Sequence, residues 1–242
     1  MNAESGIQDR AHSNHFTEHG FDILKNVLAL DECNILATEL SDIYEREQKT
    51  VRKKIGGIRN LLRLSPRASA LAFSDQLKTL LKSKLGAEAF PVCALFFDKT
   101  PDANWLVPWH QDLTIAVAEK IETAEFGAWS MKDGILHVQP PWEILESMAT
   151  LRIHLDDCNA VNGALKLIPR SHQHGKLTAL QISEQVKQNA FLCELPKGSA
   201  LLMRPLLLHS SLPAQCPSHR RVLHVEYATE NLPGGLKWFD VE

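Results

Sequence analysis

Residues 108–112 read Pro-Trp-His-Gln-Asp. They open an apolar, aromatic run over 109–117, and a run of that kind predicts a β-strand. Side chains alternate along a strand, so His110 and Asp112 would project from one face and aim an imidazole nitrogen and a carboxylate oxygen at one point. One more histidine from a neighbouring strand would complete a 2-His-1-carboxylate set, a donor arrangement suited to Fe(II). Imidazole and carboxylate suit zinc as well, so a zinc-dependent hydrolase stands as an alternative on these residues.

Outward from this stretch the chain keeps the same texture. Residues 90–98, 149–156, 164–168, 191–195, 199–208 and 221–228 are short, apolar and rich in β-branched or aromatic side chains. Turn residues such as Asn162-Gly163 and Pro196-Lys197-Gly198 separate them. Together with 109–117 they predict a mainly β fold with a double-sheet, cupin-like jelly-roll core. Before them, 21–28 reads as a strand. Asp31 reads as the cap of a helix to about Arg46, and Ser74 caps another that stops at Gly86. Such helices would flank one face of the sheet. A further short helix is expected over 182–189.

Residues 118–148, with Gly127, Gly134, Pro140 and Pro141, read as a long insertion, and an insertion of that length reads as a lid over a site. Trp129, His137 and Gln139 within it, and Gln111 beside the histidine, are the candidates for touching substrate.

The composition fits one domain over 1–242, with a loose polar tail at 1–14. A formal net charge of −3 provides no surface for nucleic acid or anionic lipid, and Arg52-Lys53-Lys54, the single basic run, reads as a solvated loop. Five scattered cysteines without a C-x-x-C point to reduced thiols. The first residues resemble no signal peptide and no apolar run approaches a membrane span, so a cytoplasmic location is expected. Oligomeric state is not legible.

His209 ends the apolar run 199–208 and precedes Ser210-Ser211, a place from which it could serve as the second histidine. Arg220 opens the following strand. Parity lets only one of Arg220 and Arg221 face inward, and the spacing from His209 favours Arg220. A buried guanidinium needs an anion, and its planar fork matches a carboxylate. Arg152 and His154 share one parity, so both would line the interior or both would be structural. Arg59 is a further candidate charge for the pocket. His172 and His174 read as a surface turn, and His12, His15 and His19 as solvent-exposed.

In this order and spacing, Trp109-His110-Gln111-Asp112, Asn162 to His172 (NGALKLIPRSH), and His209-Ser210-Ser211 with Arg220 resemble the phytanoyl-CoA dioxygenase family over about residues 16 to 230. The resemblance implies a double-stranded β-helix and an enzyme that uses Fe(II), 2-oxoglutarate and O2. It implies that His110, Asp112 and His209 bind the iron and form the catalytic centre. Arg220 would grip the distal carboxylate of 2-oxoglutarate, with Ser211 hydrogen-bonding the same group. Leu95 and Lys99 lie on a segment that matches a strand lining the cosubstrate pocket. Arg152 stands where many relatives carry an aromatic beside the cosubstrate. Asp112 fills the position that halogenating relatives leave open for chloride. The implied reaction is therefore hydroxylation of a small organic molecule, with decarboxylation of 2-oxoglutarate to succinate. A cupin-like binding protein without turnover is the other alternative.

Overall fold

Because residues i and i+2 share a strand face, the long strands of this chain carry two different surfaces. The computed structural model describes residues 15–48 and 57–240; the tail at 1–14 with His12, and the basic run at 52–54, lie outside the described residues. The strands are β1 Phe21–Leu24, β2 Gly57–Ile58, β3 Phe90–Lys99, β4 Val107–His110, β5 Ile115–Ala116, β6 Gly127–Lys132 and β7 Ile135–Gln139. They continue as β8 Ala149–His154, β9 Leu165–Leu167, β10 Phe191–Cys193, β11 Ala200–Met203, β12 His209–Ser211 and β13 Arg220–Ala228. They form a major sheet in the order β1-β11-β8-β13-β3-β2, a minor sheet β10-β9-β12-β4, and a small sheet β5-β7-β6, all antiparallel. This is the mainly β, cupin-like architecture that the strand pattern predicts.

One face of the major sheet is dry. Leu151 and Ile153 of β8, Leu223, Val225 and Tyr227 of β13, and Ala94 and Phe96 of β3 pack under helices α1 (Leu30–Gln48), α2 (Leu61–Leu64), α3 (Pro66–Ala72) and α4 (Asp75–Leu85). From the helices, Cys33, Leu36, Leu40, Leu77 and Leu81 meet them, all within 1% of full burial. Each such aliphatic side chain stabilises the fold by about 1.5–3 kcal/mol. Helix α4 starts and stops where expected: Ser74 Oγ accepts from the Leu77 N–H, and Gly86 ends the helix. The other face of the major sheet meets the minor sheet. At one end Phe21, Leu201 and Met203 pack on Leu165, Leu167 and Cys193. The other end of the sandwich is left open as a cavity.

The structure corrects five readings. The first strand stops at Leu24, well short of residue 28. The run 109–117 is two strands in two sheets, β4 and β5, joined by a bend at 111–114. The run 199–208 is likewise broken: β11 ends at Met203, and Arg204 to Leu208 form a buried connection across to the minor sheet. Pro205, which has no N–H to donate to a ladder, lies in that break. The insertion at 118–148 is not an irregular loop: it supplies strands β6 and β7 of the small sheet and then helix α5 (Trp142–Ser147). Its hairpin turns at Asp133-Gly134, both with positive φ (51° and 78°), the two-residue turn that Asp-Gly favours. The helix expected at 182–189 lies earlier, at α6 Ala179–Gln185, where Thr178 and Gln181 form a capping box. No helix among the described residues is long and apolar enough to cross a membrane.

Candidate metal centre

Cross-strand pairing brings the two histidines together. His209 at the head of β12 is the register partner of His110 at the end of β4, and their rings lie 4.2 Å apart between centroids. Asp112 joins them by a different route from the one its spacing predicts. It lies beyond the end of β4, where its backbone N–H donates to the Pro205 carbonyl at 2.9 Å. Its carboxylate stands 3.6 Å from His110 Nε2 and 3.8 Å from His209 Nε2. One potential ligand atom from each of the three residues falls within 4.8 Å of the others.

Gln111, between the ligands, holds this bend. Its side-chain amide donates to the carbonyls of Gly175 (2.9 Å) and Leu206 (2.7 Å), and its oxygen accepts from the Leu177 N–H (2.8 Å). The residue borders the cavity with its polar atoms engaged in this clamp. Nothing in the sequence marks it as one.

Tautomers follow from the carbonyl contacts, since a carbonyl only accepts. His110 Nδ1 donates to Pro108 (2.8 Å) and His209 Nδ1 to Leu207 (2.8 Å), which leaves both Nε2 lone pairs facing Asp112 and the space beside it. Burial presses the His209 pKa down to about 4, with the His110 charge lowering it further and Asp112 pulling against both. Burial also opposes a charged His110, but the Asp112 carboxylate and the Pro108 carbonyl together outweigh it and raise its pKa. For Asp112 the two imidazoles overcome burial and hold the carboxyl well below the usual range. An ionised carboxylate with two correctly turned imidazoles is the donor set of a divalent transition metal.

The three residues line a cavity of about 450 Å³ together with Leu95, Arg152, Ser211 and Arg220. Arg220 and Arg221 divide as parity requires. Arg221 is held outward by Asp156, which accepts from its Nε, its Nη2 and its backbone N–H. Arg220 is turned inward and buried. Its Nη1 donates to the Gly163 carbonyl at 2.7 Å, its Nε has no partner, and among the described residues no carboxylate meets its guanidinium, Asp98 accepting only from its backbone N–H.

Gly163 fits this corner only as glycine: its φ is +84°, and a Cβ there would come 2.8 Å from the Leu212 carbonyl. Ser211 gives its proton to the same Gly163 carbonyl (2.8 Å) and accepts from Lys99 Nζ (2.7 Å). Its hydroxyl therefore braces this corner of the cavity. Lys99 is fully buried behind Ser211; burial and the charges of Arg220 and Arg152 push its pKa down to about 8. Arg152 lines the cavity, donating from Nη1 to His224 Nδ1 at 2.7 Å, and its Nε too lacks a partner.

Of the other candidates, His137 and Arg59 reach the cavity wall. Trp129 packs on the apolar cluster beneath the small sheet, with Lys120 over its ring, and Gln139 lies on β7 away from the cavity. His172 is buried, contrary to expectation, with its Nε2 against the Thr17 carbonyl. Lys132, His224 and Glu226 line the cavity without having been anticipated. The inward parity that selects Arg220 selects 224 and 226 as well.

Residues 16–222 match the family model described as phytanoyl-CoA dioxygenase. The chain belongs to the phytanoyl-CoA dioxygenase family. Solved structures share the family's fold at low sequence identity. Apo EctD from S. alaskensis is 17% identical with a TM-score of 0.71, over 100% of this chain and 81% of that one. The α-ketoglutarate-dependent carbocyclase SnoK from nogalamycin biosynthesis is 14% identical with a TM-score of 0.71, over 92% and 84%. HygX from Streptomyces hygroscopicus, solved with nickel and 2-oxoglutarate, is 16% identical with a TM-score of 0.64, over 90% and 86%. No curated protein matches the chain.

Proposed function

We propose that this member of the phytanoyl-CoA dioxygenase family is an Fe(II)- and 2-oxoglutarate-dependent dioxygenase that hydroxylates a small organic molecule. One observation carries the reading. A His-Asp-His donor set shares a cavity with a buried arginine that has no carboxylate of its own. An unpaired buried guanidinium costs several kcal/mol, so the corner calls for an anion from outside.

Iron and 2-oxoglutarate, when bound, supply the O2 activation and the oxidant, with succinate and CO2 as by-products. The chain does the rest. His110 and His209 present Nε2 and Asp112 its carboxylate on one side of the metal position, leaving the opposite side for exchangeable ligands. Arg220, braced through Gly163 by Ser211 and Lys99, offers its fork to the distal carboxylate of the oxo acid. Arg152 adds a second cation on the same sheet face. Leu95 and Phe97 form an apolar wall beside them that limits water. Hydrolysis at zinc would need no such anchor. A cytoplasmic location is part of the proposal and is supported by five unpaired thiols, four of them buried.

Purified protein given Fe(II), ascorbate and 2-oxoglutarate should form succinate without added substrate, and a chelator should stop it. Absence of iron-dependent succinate, together with no binding of 2-oxoglutarate to the metal-loaded protein, would overturn the proposal.

A further inference from the structure

The cavity does not end at the metal position. Arg220, His224 and Glu226 lie on one face of β13, and a strand rise of roughly 3.3 Å per residue separates Arg220 from Glu226 by about 20 Å. The oxo acid anchored at Arg220 leaves the Glu226 end to another molecule.

The far end is charged with both signs. Arg152 donates to His224 Nδ1, so His224 carries its proton on Nε2 and turns it toward Glu226 at 3.6 Å, too long for a hydrogen bond. The Glu226 carboxylate is left half-buried and, among the described residues, has no lysine or arginine at ion-pair distance. His137 gives its Nδ1 proton to the Ile135 carbonyl at 3.0 Å and so brings an accepting Nε2 to the same wall. On the same face of the small sheet as His137, Lys132 donates to Thr114 Oγ1 at 2.6 Å and, among the described residues, forms no ion pair. An alkyl chain in this space would strip water from both charges and replace it with nothing, at a cost of several kcal/mol for each.

We infer that the substrate is a small amphoteric molecule, with a cationic nitrogen that Glu226 and His137 accept and an anionic group that Lys132 holds. The inference rests on the metal and cosubstrate assignment above and names the substrate class for that site.

Isothermal titration of the wild-type protein, loaded with zinc and 2-oxoglutarate so that nothing turns over, tests it. The probes are the standard amino acids and glycine betaine, each beside the carboxylic acid lacking its nitrogen and the amine lacking its carboxylate, with palmitoyl-CoA added. At least one amphoteric probe should bind about tenfold or more tighter than both of its singly charged partners, the worth of one charge-assisted hydrogen bond. Glu226→Gln should erase the preference over the carboxylic acid, and Lys132→Met the preference over the amine. The inference is overturned if palmitoyl-CoA or a singly charged probe binds best, if no amphoteric probe binds, or if the preferences survive both substitutions. Failure of 2-oxoglutarate itself to bind would instead sink the underlying assignment, so the two outcomes are separable.

Discussion

The two faces of the major sheet are one residue apart in sequence and opposite in character. On the helix side, Leu151, Ile153, Leu223 and Val225 are fully buried among other apolar groups, with every polar need met by the strand ladders. On the opposite face, the intervening positions of β8 and β13 carry Arg152, His154, Arg220, His224 and Glu226. Arg152 Nε, Arg220 Nε and both ring nitrogens of His154 are buried without a partner. The first face stabilises the sheet; the second is held in an unfavourable electrostatic state by that stability. Burial of unsatisfied donors is tolerable only where a rigid layer behind them prevents their escape to water.

Substitutions that touch one face and spare the other test this division. The largest effect is expected at the metal position. Asp112→Ala should abolish succinate formation and weaken metal binding beyond the roughly 10–100-fold that loss of an outer partner causes, with the unfolding midpoint of the apo protein preserved. A midpoint that collapsed with the binding would show that the carboxylate belongs to the fold. Next, Arg220→Ala should weaken 2-oxoglutarate binding on the order of a hundredfold or more, as measured by titration. The adjacent Arg221→Ala, which breaks the largely buried, two-bond pair with Asp156 on the other face, should change that affinity little and cost about 1–3 kcal/mol of stability.

Leu223→Ala, on the helix side, should cost about 2–5 kcal/mol in denaturant unfolding and leave 2-oxoglutarate affinity per folded molecule intact. If affinity fell in parallel, the faces would not be independent.

The smallest effect concerns pH. Burial, with the Arg152 and Arg220 charges, pushes the His154 pKa down to about 3, against roughly 6.5 in an unfolded chain. Between those values the unfolded state binds more protons, so stability falls as pH drops below about 6.5. His154→Leu should lose less stability than wild type between about pH 7.5 and about pH 5 in urea unfolding. Equal losses would mean that His154 is charged, or solvated, in the native state.

Strand parity explains what could be read from the sequence. It places Arg220 inward and Arg221 outward, and the structure agrees through Asp156. It also places His154 beside Arg152 on the inner face. The end signals of α4 were equally plain, because Ser74 and Gly86 act locally. Parity fails where the chain is buried on all sides. Leu206, Leu207 and Leu208 are all fully buried outside any strand, so 199–208 shows no period that could reveal its break. The convergence of His110 and Asp112 was anticipated, but for the wrong reason. Asp112 arrives by a bend that Gln111 clamps through residues over sixty positions downstream, and no local pattern encodes such a contact. Asp133-Gly134 was a local signal that went unread, and with it the small sheet that carries Lys132 and His137.

The pairing of His110 with His209 also bears on when the site comes into being. During synthesis the first histidine and Asp112 leave the ribosome roughly a hundred residues ahead of their partner. Closing a loop of that length costs several kcal/mol before any contact repays it, and Gln111 cannot lock until the segment at Gly175 and Leu177 has been made. A half-made chain thus has only two of the three donors and nothing to hold them in place. Tight capture of a metal ion then marks a polypeptide that has finished folding.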